Sequence, residues 1–254
     1  MELSVKGKHY IVGGVTGGFG KAICELLISE GATVTGIARN SQKIKSLLAK
    51  HPDSLEIIEG DITEPETINL VAEKAVSSGT YGLVVNAGGP PAASAMEATM
   101  DQWDDAYYLL LRWKVDLVRR ILPLMVGKGA GRILFIESVS VKTPVENLVL
   151  SNSLRMSVVG YARTLAQEIS GTGVTVNLLA PGYHKTDAVI RLVNKRSELN
   201  KVSFEQAQSE IEKGIPEGRM GEAGDFASLA MWILSPRSNY VNGQTFSVDG
   251  GLTV

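Results

Sequence analysis

What most constrains this chain is a regular alternation of short apolar runs of strand length with amphipathic runs of helical period. Residues 8–12, 33–38, 55–58, 83–85, 132–136, 174–179 and 245–248 read as strands. Between them, 21–29, 41–50, 64–77, 152–169 and 225–234 read as helices, the first closed by Gly31. Residues 100–125 read as one long helix, broken or ended near Pro123. Strands that are apolar throughout and separated by helices imply parallel neighbours covered on both faces, because parallel pairing needs crossover connections. The expected fold is α/β, a single Rossmann-type doubly wound parallel sheet with helices on both faces. No linker, repeat or low-complexity tract divides it, so one domain over residues 1–254 is expected.

One segment interrupts the rhythm. Residues 187–215 form a charged helical insertion whose apolar positions (Val189, Ile190, Leu192, Val193, Phe204, Ala207 and Ile211) can cover something but are thin for a core. At the carboxyl ends of parallel strands such an insertion is placed as a lid. The plainer alternative is a pair of surface helices.

Composition narrows the partners. With 44% hydrophobic residues and a formal net charge of −2, nothing favours nucleic acid or an acidic membrane surface. Cys24 is the sole cysteine, and His9, His51 and His184 are scattered, so neither an internal disulfide nor a metal site is expected. No stretch has the length of a membrane span or the pattern of a signal peptide, which makes the cytoplasm the expected location.

Two stretches carry chemistry. Gly13-Gly-Val-Thr-Gly-Gly-Phe-Gly20 follows the first strand and opens the first helix, where backbone N–H groups and the helix dipole favour a pyrophosphate. From Ser138 to Arg155, a hydroxyl at a strand end is followed by a loop and then by Ser151 and Arg155, an i, i+4 pair facing one way. Where a carboxylate for the ribose 2′-hydroxyl would end the second strand, Ala38 is followed by Arg39-Asn40-Ser41. A guanidinium there suits a 2′-phosphate, so NADP(H) is expected and NAD(H) disfavoured.

The spacing Gly14-x-x-x-Gly18-x-Gly20 resembles the glycine loop of the short-chain dehydrogenase/reductase family, and the resemblance runs through the whole chain. Asp61 resembles that family's adenine-contacting acid, Asn86-Ala87-Gly88 its Asn-Ala-Gly motif, and Trp103-Asp104 the start of its fourth helix. Asn177-x-x-x-Pro181-Gly182 with Thr186 resembles its segment beside the nicotinamide, and residues 245–251 its tail. The resemblance implies cofactor contacts from Gly14, Val15, Thr16, Gly18, Phe19, Gly20, Arg39, Asp61, Ile62, Asn86, Ala87, Gly88, Arg155, Pro181, Gly182 and Thr186. It also implies a homotetramer, with residues 100–125, 152–169 and 245–254 as candidate interfaces.

The family's catalytic set is altered. Ser138 matches its serine, but Ser151 stands at the tyrosine position, Arg155 at the lysine and Leu110 at the asparagine. A serine hydroxyl ionises well above a phenol and cannot relay a proton without a base, and arginine does not release one. Catalytic roles are assigned to Ser138, Ser151, Arg155 and Lys142. Tyr107, Tyr108, Tyr183 and His184 are candidate substitutes for the tyrosine, and Asn152 a candidate for orienting an oxygen. The motifs Gly88-Gly-Pro-Pro91, Leu109-Leu-Leu-Arg112, Ser138-Val-Ser-Val-Lys142 and Leu150-Ser-Asn-Ser-Leu-Arg155 resemble a divergent, 3-oxoacyl-acyl-carrier-protein-reductase-like branch. Two functions remain open. One is an NADP(H)-dependent reductase of a carbonyl (3-oxoacyl-like) or conjugated enone, acting on a small-molecule or acyl substrate. The other is a nucleotide-binding member without turnover, serving as a sensor or partner subunit.

Overall fold

In a computed structural model describing residues 2–86 and 88–254, seven parallel strands form one sheet. They are β1 (His9–Gly13), β2 (Thr33–Ala38), β3 (Leu55–Glu59), β4 (Gly82–Val85), β5 (Gly131–Ile136), β6 (Val174–Pro181) and β7 (Thr245–Val248), in the spatial order β3-β2-β1-β4-β5-β6-β7. The Rossmann-type fold is therefore as the alternation implied. Strand order reverses between β1 and β4, where Tyr10, Ile11 and Val12 pair with Gly82, Leu83 and Val84. The loops leaving these two strands part company there and open a crevice at their carboxyl ends.

The period of two along each strand divides the core. Ile11, Leu83, Val85, Ile133 and Phe135 face one layer of helices, whereas Tyr10, Val12, Val84, Leu134 and Ile136 face the other. The first layer contains α3 (Pro65–Ser78), α4 (Met100–Tyr107), α5 (Trp113–Gly127) and α6 (Val149–Glu168). The second contains α1 (Gly18–Ser29), α2 (Ser41–Lys50) and α9 (Ala223–Leu234). Between them in sequence, α7 (Asp187–Asn200) and α8 (Phe204–Lys213) build a small cluster of their own from Val193, Ala207, Ile211, Ile215 and Met220.

Three boundaries differ from the sequence reading in ways that matter. α1 begins at Gly18, so the glycine run supplies its first turn. α6 begins at Val149 and not at 152, which brings Ser151 into the helix with Arg155, both buried. The long helix does not break at Pro123, which lies inside α5. Its irregularity is a π-helical turn, Tyr108–Arg112, between α4 and α5. A proline removes one backbone donor, and the apolar face of α5 (Leu117, Val118, Ile121 and Met125), packed in the core, keeps the helix intact past it.

Candidate active site

The crevice at the switch point is a cleft of about 500 Å³ lined by the glycine loop, Arg39, Lys43, Asn86, Gly88, Gly89, Ile136, Glu137, Arg155 and the start of α7. Its floor depends on close backbone approach. Gly14 has φ +70°, and a Cβ on Gly20 would stand 2.4 Å from the Gly13 carbonyl oxygen, so only glycine lets the first turn of α1 settle on β1. Asn86 Nδ2 donates to the Gly13 oxygen at 3.0 Å and ties the two strand ends together.

The N-cap of α1 is Gly17, in extended backbone and without a side-chain cap, so the first-turn amides are left for a ligand. The start of α7 lies over this loop: a Cβ on Gly18 would be 3.5 Å from Thr186 Cγ2. Thr186 caps α7 by accepting from the Val189 N–H, and Pro181 and Gly182 end β6 beside it.

At the outer end, Arg39 donates to Asp61 at 3.0 Å, its side chain 75% exposed at the rim. Burial works to raise the Asp61 pKa, but hydrogen bonds from the Thr63 N–H and hydroxyl, with Arg39, hold it below the usual carboxylate value. Lys43 Nζ reaches Asp187 at 3.3 Å and links α2 to α7 across the cleft mouth. These features fit a dinucleotide: uncapped amides for the pyrophosphate, and cations at the rim for a 2′-phosphate. Of the remaining expected contacts, Val15 and Ile62 are buried beneath the loops, Phe19 stacks on Phe226, and Ala87 lies outside the described residues.

At the inner end Arg155 and Glu137 line the cleft, with Ser151 as the buried partner of Arg155 and Ser138 next to Glu137 in the chain. Ser138 follows Glu137 at the end of β5, and its Oγ accepts from the Ser140 N–H at 3.2 Å, while its hydroxyl makes no donated hydrogen bond among the described residues. Arg155 Nε donates to Ser151 Oγ at 3.0 Å and its NH1 to Glu137 Oε2 at 3.1 Å. Lys114 Nζ donates to the other carboxylate oxygen, Glu137 Oε1, at 2.6 Å. Burial pushes the Lys114 ammonium pKa down; Glu137 opposes that shift and Arg155 adds to it.

Glu137 and Lys114 are not among the residues expected from sequence. The signal existed. Leu110, Lys114, Leu117 and Ile121 recur at helical spacing, which places a lysine in the buried stripe of α5.

The proposed substitutes for the tyrosine fare differently. Lys142 is exposed at the end of a short 3₁₀ turn and is not among the side chains lining the cleft. His184 is a buried packing residue that meets both Phe19 and Phe226 edge to face, its pKa lowered by burial. Tyr183 packs against the α7–α8 cluster, and Tyr107 and Tyr108 are exposed. Asn152 is spent on the loop, donating to the Val145 carbonyl at 2.9 Å and accepting from its N–H at 3.2 Å. Leu110 is buried in the π turn.

A parallel sheet with a glycine turn and an uncapped helix end at its switch point defines a Rossmann-type α/β protein. Within that class the chain belongs to the short-chain dehydrogenase/reductase family, its residues 14–253 matching the family model described as Enoyl-(Acyl carrier protein) reductase. It is 30% identical over 250 residues to the 3-oxoacyl-[acyl-carrier-protein] reductase FabG of Haemophilus influenzae, covering 98% of this chain and 99% of that one. It is also 30% identical over 252 residues to the NADPH-dependent reductase BacG of Bacillus subtilis, covering 94% and 95%. Among solved structures, the L-sorbose reductase of Gluconobacter frateurii complexed with NADPH and L-sorbose superposes with a TM-score of 0.93. It is 26% identical and covers 100% of this chain and 99% of that one.

Proposed function

We propose that this chain is an NADP(H)-dependent oxidoreductase that reduces a carbonyl, of the 3-oxoacyl kind, or a conjugated enone. The observation that carries the reading is the cleft itself, which joins an anion-ready helix end, a rim arginine and the Arg155 guanidinium in one crevice. NADPH-dependent relatives and neighbours support the cofactor, and ketoreductase neighbours support carbonyl reduction.

When bound, the dinucleotide supplies hydride chemistry. The α1 amides and Gly14 to Gly20 would hold its phosphates, and Arg39, which bonds Asp61, would hold the 2′-phosphate. Asn86, Gly88, Pro181, Gly182 and Thr186 border the reacting end. Ser138 donates its hydroxyl hydrogen to the substrate oxygen, and Arg155 places positive charge beside it. Neither Ser151 nor Arg155 relays a proton as tyrosine and lysine do, so water supplies it. For an enone that proton goes to carbon, where loss of the tyrosine matters least.

The α7–α8 pair serves as a lid over the cleft, held at its edge by Lys43 and Asp187. The active form is a homotetramer, and the compartment is the cytoplasm.

The test is transfer of deuterium from stereospecifically labelled NADPH to a panel of ketones and enones, read by mass spectrometry of the product. Labelled product from at least one class is expected. NADPH binding with no transfer across the panel would replace this reading with the non-catalytic one, which the altered positions 110, 151 and 155 favour.

A further inference from the structure

Lys114, Glu137 and Arg155 meet in the interior from three elements. Lys114 projects from α5, Glu137 stands directly after β5 with its N–H donating to the Leu179 oxygen at 2.8 Å, and Arg155 projects from α6. Their side chains are 2%, 0% and 10% exposed. Two cations against one anion leave a net positive charge inside the protein. An apolar trio would serve stability at least as well, because desolvating ions costs more than the pairing usually returns.

Arg132 shows how this chain buries an arginine for structure alone. Its Nε, NH1 and NH2 all donate, to the carbonyls of Ser235, Gly131 and Gly173 and to Asn239 Oδ1. Arg155 is different. Nε and NH1 are engaged by Ser151 and Glu137, whereas NH2 makes no hydrogen bond among the described residues. A Cβ on Gly89 would lie 3.4 Å from NH2, and Gly89, Glu137 and Arg155 line the same cleft.

We propose that Glu137, its second oxygen held by Lys114, is a positioning residue that locks Arg155 with its NH2 edge aimed into the cleft as a fixed cation for the substrate's oxygen. This rests on the oxidoreductase reading above. As the substrate's carbon accepts hydride, a π pair moves onto oxygen, giving an alkoxide from a ketone or an enolate from an enone. A proton from water then completes the reduction, at oxygen or at the α-carbon respectively. Arg155 stabilises the charge without entering the proton balance, because a guanidinium does not ionise. Glu137 does not act as a base there, since both its oxygens are committed to cations.

The deciding variant is Lys114→Met/Glu137→Met. It removes the clamp and leaves the cluster with the same net charge, now that of Arg155 alone, and its folding is verified by circular dichroism and by its Tm before kinetics are compared. In ¹⁵N-arginine-labelled parent protein, the Arg155 η nitrogens, assigned by their loss in Arg155→Lys, should give separate resonances because rotation about Cζ–Nη is hindered. In the double variant they should merge. kcat should fall about 10- to 100-fold, as for a catalytic group misplaced by about an ångström. The NADPH Kd, read by fluorescence titration, should move less than about threefold, since phosphates and adenine bind elsewhere.

Lys114→Met alone keeps the Glu137–Arg155 contact and should lose only several-fold. A double variant with the parent's kcat and separate η resonances would overturn the proposal. A single Lys114→Met as damaging as the double variant would overturn it too, in favour of Lys114 as a proton source. If the parent transfers no hydride to any substrate, the oxidoreductase reading falls, and the η resonances still decide whether Glu137 clamps Arg155.

Discussion

His9 opens β1 with both ring nitrogens occupied, Nε2 by the Thr35 hydroxyl and Nδ1 by those of Thr80 and Ser78. Burial first, then the Lys74 ammonium, pushes its pKa from 6.5 down to about 4. The unfolded chain therefore binds more protons between those values, and stability falls as pH drops from about 6.5 to 4, with the loss complete and constant below that. Allowing for solvent screening at a part-exposed ring, the loss is on the order of 1–2 kcal/mol. Thermal melts of the parent and His9→Gln from pH 4 to 7.5 should converge as the pH falls; parallel curves would exclude this role. At the other end of the sheet, Arg39→Ala should weaken NADPH by about 1–3 kcal/mol and leave NADH nearly unchanged, as titrated by fluorescence. The loss exceeds that of a bare contact, because Asp61 would then face the 2′-phosphate without the arginine. Arg39, Ser138 and the glycine loop were legible because neighbours in sequence carry them. The helical spacing around Lys114 signalled its burial, but its pairing with Glu137 and that of Glu137 with Arg155 were not legible, since these partners lie 23 and 18 residues apart and only the packing of α5 and α6 on β5 brings them together.

Among the elements, α6 carries the altered chemistry. It is anchored by Val158, Val159, Ala162 and Leu165, and its first two turns present Arg155 to the cleft wall with Ser151 bonded behind it. Restoring the family's pair with Ser151→Tyr and Arg155→Lys should raise ketone reduction by about 100-fold, the usual contribution of one positioned acid–base group. Two structural facts temper the gain. Ser151 is buried, so a phenol there should also cost about 1–3 kcal/mol through overpacking, visible as a lower Tm. A lysine would also have to share Glu137 with Lys114. Adding Ser138→Ala to the pair should cancel the gain. A parent already fast on ketones and slowed by the double change would show that another donor does the chemistry. Strand and helix positions followed from apolar periodicity. The π turn did not, because Tyr108–Arg112 has ordinary helix-forming composition and its extra residue per turn arises from packing, with Trp113 Nε1 donating to the Leu109 carbonyl at 2.7 Å.

For the whole molecule, the distribution of exposed apolar side chains is informative. Single exposed apolar residues are ordinary, but Met100, Tyr107, Tyr108 and Met156 all belong to the α4–α6 layer. Tyr107 and Tyr108 pack edge to face at 5.5 Å, a solvent-facing aromatic pair on a helix whose other face is in the core. A second copy related by a two-fold axis would cover such a layer with its own equivalent, and two different two-folds close a tetramer. The expectation is a homotetramer by light scattering at micromolar concentration. Tyr108→Glu/Met156→Glu would bring like charges together across that interface and should shift the mass to a dimer or monomer. The melting temperature of the parent should rise with protein concentration and that dependence should weaken in the variant, since assembly and folding are linked. A stable monomer in the parent would dismiss the interface. A tetramer untouched by the double change would move it to the remaining candidate, the residues from β7 to the carboxyl terminus.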